Sequence, residues 1–223
     1  MSPLIVMITF LLIASNDDRI VDPNVSSLIH KISEREHVPA GILYGIWKNE
    51  SGGISYGWGT GRGWLLAANL VHGGLCSQRY GEGRCLERWN ILVALCNMRK
   101  NNGSQMCDPS QVRTSYAMAV GPMQILPTTI LTVDRAGHGH WTEDAVDYNR
   151  DGVIDPLDLP DAMAMAARHL RRNYNSRMRD HSGDPSIVWQ WAIGSYFGEQ
   201  NAQYIRTVVF YWKQWCGMTG SCR

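Results

Sequence analysis

The chain has almost no excess of charge: 21 Lys and Arg against 20 Asp and Glu leave a net charge of +1 over 223 residues. That balance lacks the basic footprint of a nucleic-acid binder. A bilayer-spanning stretch is not evident in the leader either. Residues 4–14 are apolar apart from Thr9, which suits the apolar segment of a signal peptide and falls short of a membrane span. Met1, Ser2 and Pro3 bring no Lys or Arg to its front, so an uncleaved anchor is the competing reading. Zinc spacing is missing as well: there is no CxxC pair, and His72, His138 and His140 are not set out as ligands. Six cysteines are present instead, Cys76, Cys85, Cys96, Cys107, Cys216 and Cys222. An even count behind an export leader points to disulfides. Cys216 is expected to pair with Cys222, and the other four among themselves, within a Cys-containing insertion around residues 72–108. A leader over residues 1–18 and a single domain over 19–223 are expected; 44% hydrophobic residues suffice for one sizeable core.

Against that plain background one acid stands out. Pro39 opens a run in which Ile42, Leu43, Ile46 and Trp47 recur at one-face helical spacing, and Gly52 and Gly53 end it. Glu50 lies one turn beyond Ile46, so its side chain leans toward the apolar face. The negative helix terminus and apolar walls both disfavour its charged form. A carboxyl raised in this way suits a general acid at neutral pH; a solvated surface glutamate is the plainer alternative. Further helices are expected over residues 23–37, 64–71, 84–99, 161–174, 185–198 (running into a turn) and 203–215, so the fold class is mainly α. Tyr56, Trp58 and Trp64 in the glycine-rich stretch after Glu50 have flat faces suited to sugar rings, or to packing.

Two later motifs narrow the chemistry. The stretch Ser115-Tyr116-Ala117-Met118-Ala119-Val120-Gly121-Pro122-Met123-Gln124-Ile125-Leu126-Pro127 is too particular for a generic loop. Gly121 permits close backbone approach, and Ser115 and Gln124 supply neutral hydrogen-bonding groups for a sugar amide or hydroxyl. Then Asp147, Asn149, Asp151, Gly152 and Ile154 fall at positions one, three, five, six and eight of a calcium-type loop, with the carbonyl of Val153 at seven. The twelfth position is Asp158 where a Glu is usual. An acidic cap and turn without metal is the alternative.

A Glu-Ser pair closing an apolar helix, followed by the Ser-x-Ala-x-x-x-Gly-x-Met-Gln-x-x-Pro stretch, resembles the lytic transglycosylases of the lysozyme superfamily, most closely the membrane-bound lytic murein transglycosylase B family. The likeness covers roughly residues 39–211 and is weakest over residues 76–107. It implies a lysozyme-like helical domain with an EF-hand-like calcium loop. Implied too are Glu50 as the catalytic residue, substrate contacts from Ser115, Tyr116, Gly121, Met123, Gln124 and Tyr196, and Ca2+ as a structural cofactor held by Asp147, Asn149, Asp151, Val153 and Asp158 or Asp161. In the family the carboxylate matching Asp161 closes a slightly longer loop, which favours Asp161 over Asp158. The family's Tyr-Asn pair is Tyr196-Phe197 here, which removes any role of the second residue but leaves Tyr196 available to Glu50.

Most glycosidases use two carboxylates, and no second acid sits in a comparable motif: Glu87, Asp134, Glu143 and Asp144 read as ordinary helix or loop. The resemblance supplies a one-carboxyl route on peptidoglycan glycan strands, in which the substrate's acetamido group and its own C6 hydroxyl replace the second carboxylate and water. The implied protein is a monomer, exported to the periplasm or cell envelope, with envelope-spanning secretion or conjugation machinery as a conceivable partner. A hydrolytic muramidase of the goose-lysozyme kind, or a catalytically silent wall-binding component of a secretion, conjugation or phage apparatus, are the competing functions. Five arginines, Arg168, Arg171, Arg172, Arg177 and Arg179, end the 161–174 helix region, as a solvated helix end or as a lure for wall-peptide carboxylates.

Overall fold

In the computed structural model, residues 21–53, 65–101, 108–180 and 184–222 are described. The leader, Tyr56, Trp58, Trp64 and Cys107 lie outside them. Asp22 caps α1 (Pro23–Glu36) by accepting from the Asn24 amide, Pro23 fills the first turn, and Val25, Ile29 and Ile32 are buried. Helix α2 (Ala40–Ser51) follows, with Pro39 just outside it as cap and Gly52 ending it in the left-handed conformation. Next come β1 (Leu65–Leu66), α3 (Ala67–His72), α4 (Leu75–Tyr80), α5 (Glu82–Asn101), a 3-10 turn at Pro109–Gln111 and β2 (Arg113–Thr114). Then follow α6 (Pro127–Ile130), β3 (Leu131–Val133), β4 (Gly139–Trp141), α7 (Leu159–Asp180), α8 (Pro185–Phe197) and α9 (Ala202–Thr219). The chain is mainly helical, as expected. Strand β1 pairs antiparallel with β2, and β3 with β4; both ribbons are too short to leave a periodic signal, and β1 takes residues expected to be helical.

Two apolar clusters carry the packing. The larger joins α1, α2, α7, α8 and α9 through residues such as Ile29, Ile42, Leu43, Ile46, Met163, Ala167, Leu170, Ile193 and Val208. The smaller gathers Leu70, Leu92 and Leu95 with Met118, Val120, Leu131 and Leu157, and Trp141 packs on both. Helices α2 and α9 meet through glycine. A Cβ on Gly41 would lie 2.0 Å from the Trp212 ring, and one on Gly45 would lie 2.6 Å from the Val208 carbonyl. This close approach brings the start of α9 against the end of α2.

Cys76–Cys85 joins α4 to α5, and Cys216–Cys222 closes the end of α9. Cys96 is also disulfide-bonded. Three of the five arginines of α7 hold other parts of the chain. Arg168 reaches Glu36 at 3.4 Å and the carbonyls of Glu143 and Ala145. Arg172 holds Asp144 at 2.7 Å and Glu143 at 3.0 Å, and Arg171 donates to the His37 carbonyl. They fasten α7 to α1 and to the segment before the acidic loop.

Candidate active site

Glu50 sits in the last turn of α2, where Ile46 and Trp47 bury the helix and Gly52 frees the chain to leave. Its side chain is half-buried: part of it meets the outside, while enough protein surrounds the carboxyl that desolvation raises its pKa to about 7. A single hydroxyl opposes that shift. The Tyr204 Oη donates to Glu50 Oε1 at 2.5 Å, and the Asn49 side chain also bonds Tyr204. Asn201 makes this possible by capping α9, accepting from the amides of Gln203 and Tyr204 and so fixing the first turn.

Tyr204 was not legible as a partner of Glu50, and Tyr196 was expected there instead. Burial, and after it the nearby Glu50 charge, raise the Tyr196 pKa, but its hydroxyl donates to the Met123 carbonyl at 2.6 Å. It ties α8 to the Gly121 turn. Phe197, the departure from the family pair, stacks on Tyr204 with ring centroids 4.4 Å apart. The only early hint of Tyr204 was the spacing of Gly41 and Gly45, four residues apart on α2, which marks a helix in close contact without saying which one.

The Ser115–Leu126 stretch is a tight turn, with Val120 and Ile125 bridged and Gln124 in the left-handed region at φ 51°. Three residues of it expected at the substrate also have packing roles. A Cβ on Gly121, at φ 75°, would lie 1.8 Å from the Pro156 carbonyl, so this glycine admits the acidic loop. The Met123 side chain is fully buried in the larger core. The Gln124 side-chain amide donates to Gly121 O at 2.9 Å, bracing its own turn. Ser115 and Tyr116 do face a cleft of about 460 Å3, whose walls also include Leu126 and Phe197. The Ser115 hydroxyl accepts from the Ala119 amide, which leaves its proton to donate.

In the acidic loop, Asp147 accepts from the amides of Asp151 and Gly152, and Asp151 from that of Val153. The Asn149 side-chain amide bridges Asp151 and Asp158. Burial, and after it the charges of Asp155 and Asp151, raise the Asp158 pKa even though the Asn149 bond opposes the shift. Asp161, favoured as the closing ligand, turns inward. It is fully buried, with Oδ1 accepting from the amides of Tyr148 and Asn149 and Oδ2 from that of Asp155. Desolvation outweighs those three bonds and raises its pKa to about 6. Among the described residues no group of three or more acidic, histidine or cysteine side chains converges as a ready metal site.

A sequence profile described as the Transglycosylase SLT domain matches residues 23–180, from the first helix through α7 and including Glu50, the Gly121 turn and the acidic loop. The chain belongs to the transglycosylase SLT family. Solved structures share its fold at low identity. A 36 kDa muramidase/transglycosylase superposes with a TM-score of 0.58 at 13% identity, over 92% of this chain and 79% of that one. The Escherichia coli lytic transglycosylase SLT35 in complex with calcium gives 0.58 at 13%, over 92% and 78%. Soluble lytic transglycosylase SltB1 from Pseudomonas aeruginosa gives 0.57 at 16%, over 89% and 77%. Comparison with curated protein sequences finds no match.

Within this SLT domain the acids near α7 are structural. Asp144 is buried against Arg172 and, at 3.1 Å, His169. Asp134 bonds the backbone at Ala136 and His138 and both nearby histidines. Both are engaged in bonds that hold the fold.

Proposed function

We propose that the protein is a peptidoglycan lytic transglycosylase that cleaves the β-1,4 bond between N-acetylmuramic acid and N-acetylglucosamine with Glu50 as its one acid and base. The observation that carries this reading is the Glu50 carboxyl, held at about 7 in a partly open apolar setting and bonded by Tyr204. Such a group is protonated and ionised in comparable amounts near neutrality, and both forms are needed. The acid form protonates the glycosidic oxygen, which leaves as the 4-hydroxyl of N-acetylglucosamine. The substrate's 2-acetamido oxygen stabilises the positive anomeric carbon. The resulting Glu50 carboxylate takes the proton of the muramic C6 hydroxyl as that oxygen bonds C1, giving a 1,6-anhydro end. No water is consumed and Glu50 is returned protonated. Tyr204 keeps Oε1 in place, which leaves Oε2 as the proton-carrying oxygen.

Glu50→Gln keeps the size and the Tyr204 acceptor but cannot exchange the proton; wall lysis should fall by at least about a hundredfold with the fold retained. Mass analysis of the released sugar ends decides the reaction. Anhydro ends are expected, and reducing ends would make the protein a hydrolytic muramidase. Work on the wall outside the inner membrane agrees with the disulfides Cys76–Cys85 and Cys216–Cys222, and among the described residues no helix is long and apolar enough to cross a membrane.

Calcium as a structural ion is part of the same proposal. Burial first, and after it the charges of Asp155 and Asp151, raise the Asp158 pKa, and oxygen donors in such a set suit a hard divalent ion. Asp147, Asn149, Asp151, the Val153 carbonyl and Asp158 would hold it. Asp161, its oxygens engaged by three backbone amides, would act behind them as the clasp of the loop.

A further inference from the structure

The cleft that holds Ser115 and Tyr116 has a second character that the cleavage chemistry does not use. Arg79 on α4 and Arg84 and Arg88 on α5 line it, against one acid, Glu199. Among the described residues none of the three arginines makes an ion pair. Arg84 and Arg88 lie four residues apart, where like charges repel. The acid nearest them on their own helix that acts on Arg88 is Glu87, which does not bond it. The Arg88 guanidinium lies 4.7 Å over the Tyr80 ring, and its Nη1 is buried with no hydrogen-bond partner. An orphaned buried donor is destabilising, and folding alone gives no reason for it. Arg79 lies 5.8 Å over Tyr116. The Cys76–Cys85 bond fixes α4 against α5, so the three cations form one wall. Phe197 on the same cleft stacks on Tyr204, which bonds Glu50. The cationic wall is thus linked to the proton donor through Phe197 and Tyr204.

We propose that Arg79, Arg84 and Arg88 form an anion subsite that takes the carboxylates of the peptide carried by a muramyl unit bound beside Glu50. The inference rests on the transglycosylase reading above. A muramyl unit next to the cleaved bond carries its peptide on the lactyl ether, and the peptide's free groups are carboxylates. Planar guanidinium forks match these bidentately. Arg88 supplies an unsatisfied donor, and the exposed Arg79 and Arg84 extend the field toward solvent.

The test uses the full chain and three soluble strand preparations: peptide-bearing glycan, the same strands with their peptide carboxylates amidated, and strands stripped of peptide by an amidase. In the double variant Arg79→Gln/Arg84→Gln, both positions exposed, KM on peptide-bearing strands should rise about fivefold. On amidated strands the parent's KM should rise to meet the variant's. Arg88→Leu should act in the same direction, with melting temperature measured alongside to separate it from loss of fold. Equal KM for parent and double variant on peptide-bearing strands overturns the subsite, as does an equal gap on all three substrates. A parent advantage kept in full on peptide-free strands, which expose the lactyl carboxylate, overturns the peptide assignment. If the parent cuts none of the strands, the transglycosylase reading fails and the subsite falls with it. If it cuts all three with one KM, only the subsite fails.

Discussion

Glu50 and Tyr204 form a proton-handling pair in which burial raises the carboxyl pKa and the phenol restrains the rise. Since the acid form must be present for the first step, kcat/KM should hold on the acidic side and fall as pH climbs through about 7. Tyr204→Phe removes the one bond that favours the carboxylate, so the alkaline limb should move to higher pH while kcat drops about tenfold. A pH–rate profile of the variant checks both, and an unmoved limb would detach Tyr204 from the titration. The same shift has a stability consequence. A carboxyl whose folded pKa is raised contributes fully below its unfolded value of 4.5, and that contribution is lost as pH rises through about 7. Glu50→Gln should therefore match the parent near about pH 4 and exceed it near about pH 8 by on the order of 2 kcal/mol, read by denaturant melts at the two pH values.

Between elements, the site depends on how closely α2 and α9 approach and on how the Gly121 turn meets the acidic loop. Gly45→Val would drive a side chain into the Val208 backbone, 2.6 Å from a Cβ at that position. The helices must separate, with a loss of about 2 kcal/mol, and Tyr204 should leave Glu50. Activity should fall more steeply than the melting temperature implies. Gly121→Ala meets the Pro156 carbonyl at 1.8 Å from a residue at φ 75° and should cost about 3 kcal/mol or more. The loss should appear as a lower denaturation midpoint. If Gly121→Ala folds with full stability, the turn does not bear on the loop as described. Both glycines serve packing of backbone on backbone, which their place in a motif does not reveal.

At the scale of the whole molecule, the acidic loop lies between the two apolar clusters. Leu157, just after Pro156, packs in the smaller one, while Leu159 and Ala162 pack in the larger. An ion bound there would stabilise both cores at once, by mass action. Millimolar calcium should raise the melting temperature, a chelator should lower it, and Asp147→Asn should abolish the difference. A melting temperature indifferent to chelator in the parent would remove calcium from the account. Wall lysis should follow the metal only through stability, because the loop acts behind the Gly121 turn and not on the sugar.

Periodicity made α1, α2, α8 and α9 legible because each is an amphipathic or apolar run, and Pro23, Gly52 and Pro185 mark a start or a stop of the first three. The same local reasoning made Glu50 an acid of raised pKa, since the apolar face it leans on and the helix end it occupies are written within one turn of it. What the chain could not declare alone is which distant group would answer Glu50. Tyr204 is 154 residues away, and its approach depends on two glycines and a helix crossing that no local pattern encodes. Tyr196, Gly121 and Met123 were read from a motif as ligands for sugar. Tertiary packing assigned them to the seams between α8, the turn and the acidic loop, because a backbone contact and a buried side chain leave no trace in spacing. The arginine wall is of the same kind: charge counts showed a balanced chain, and only folding gathered Arg79, Arg84 and Arg88 on one cleft.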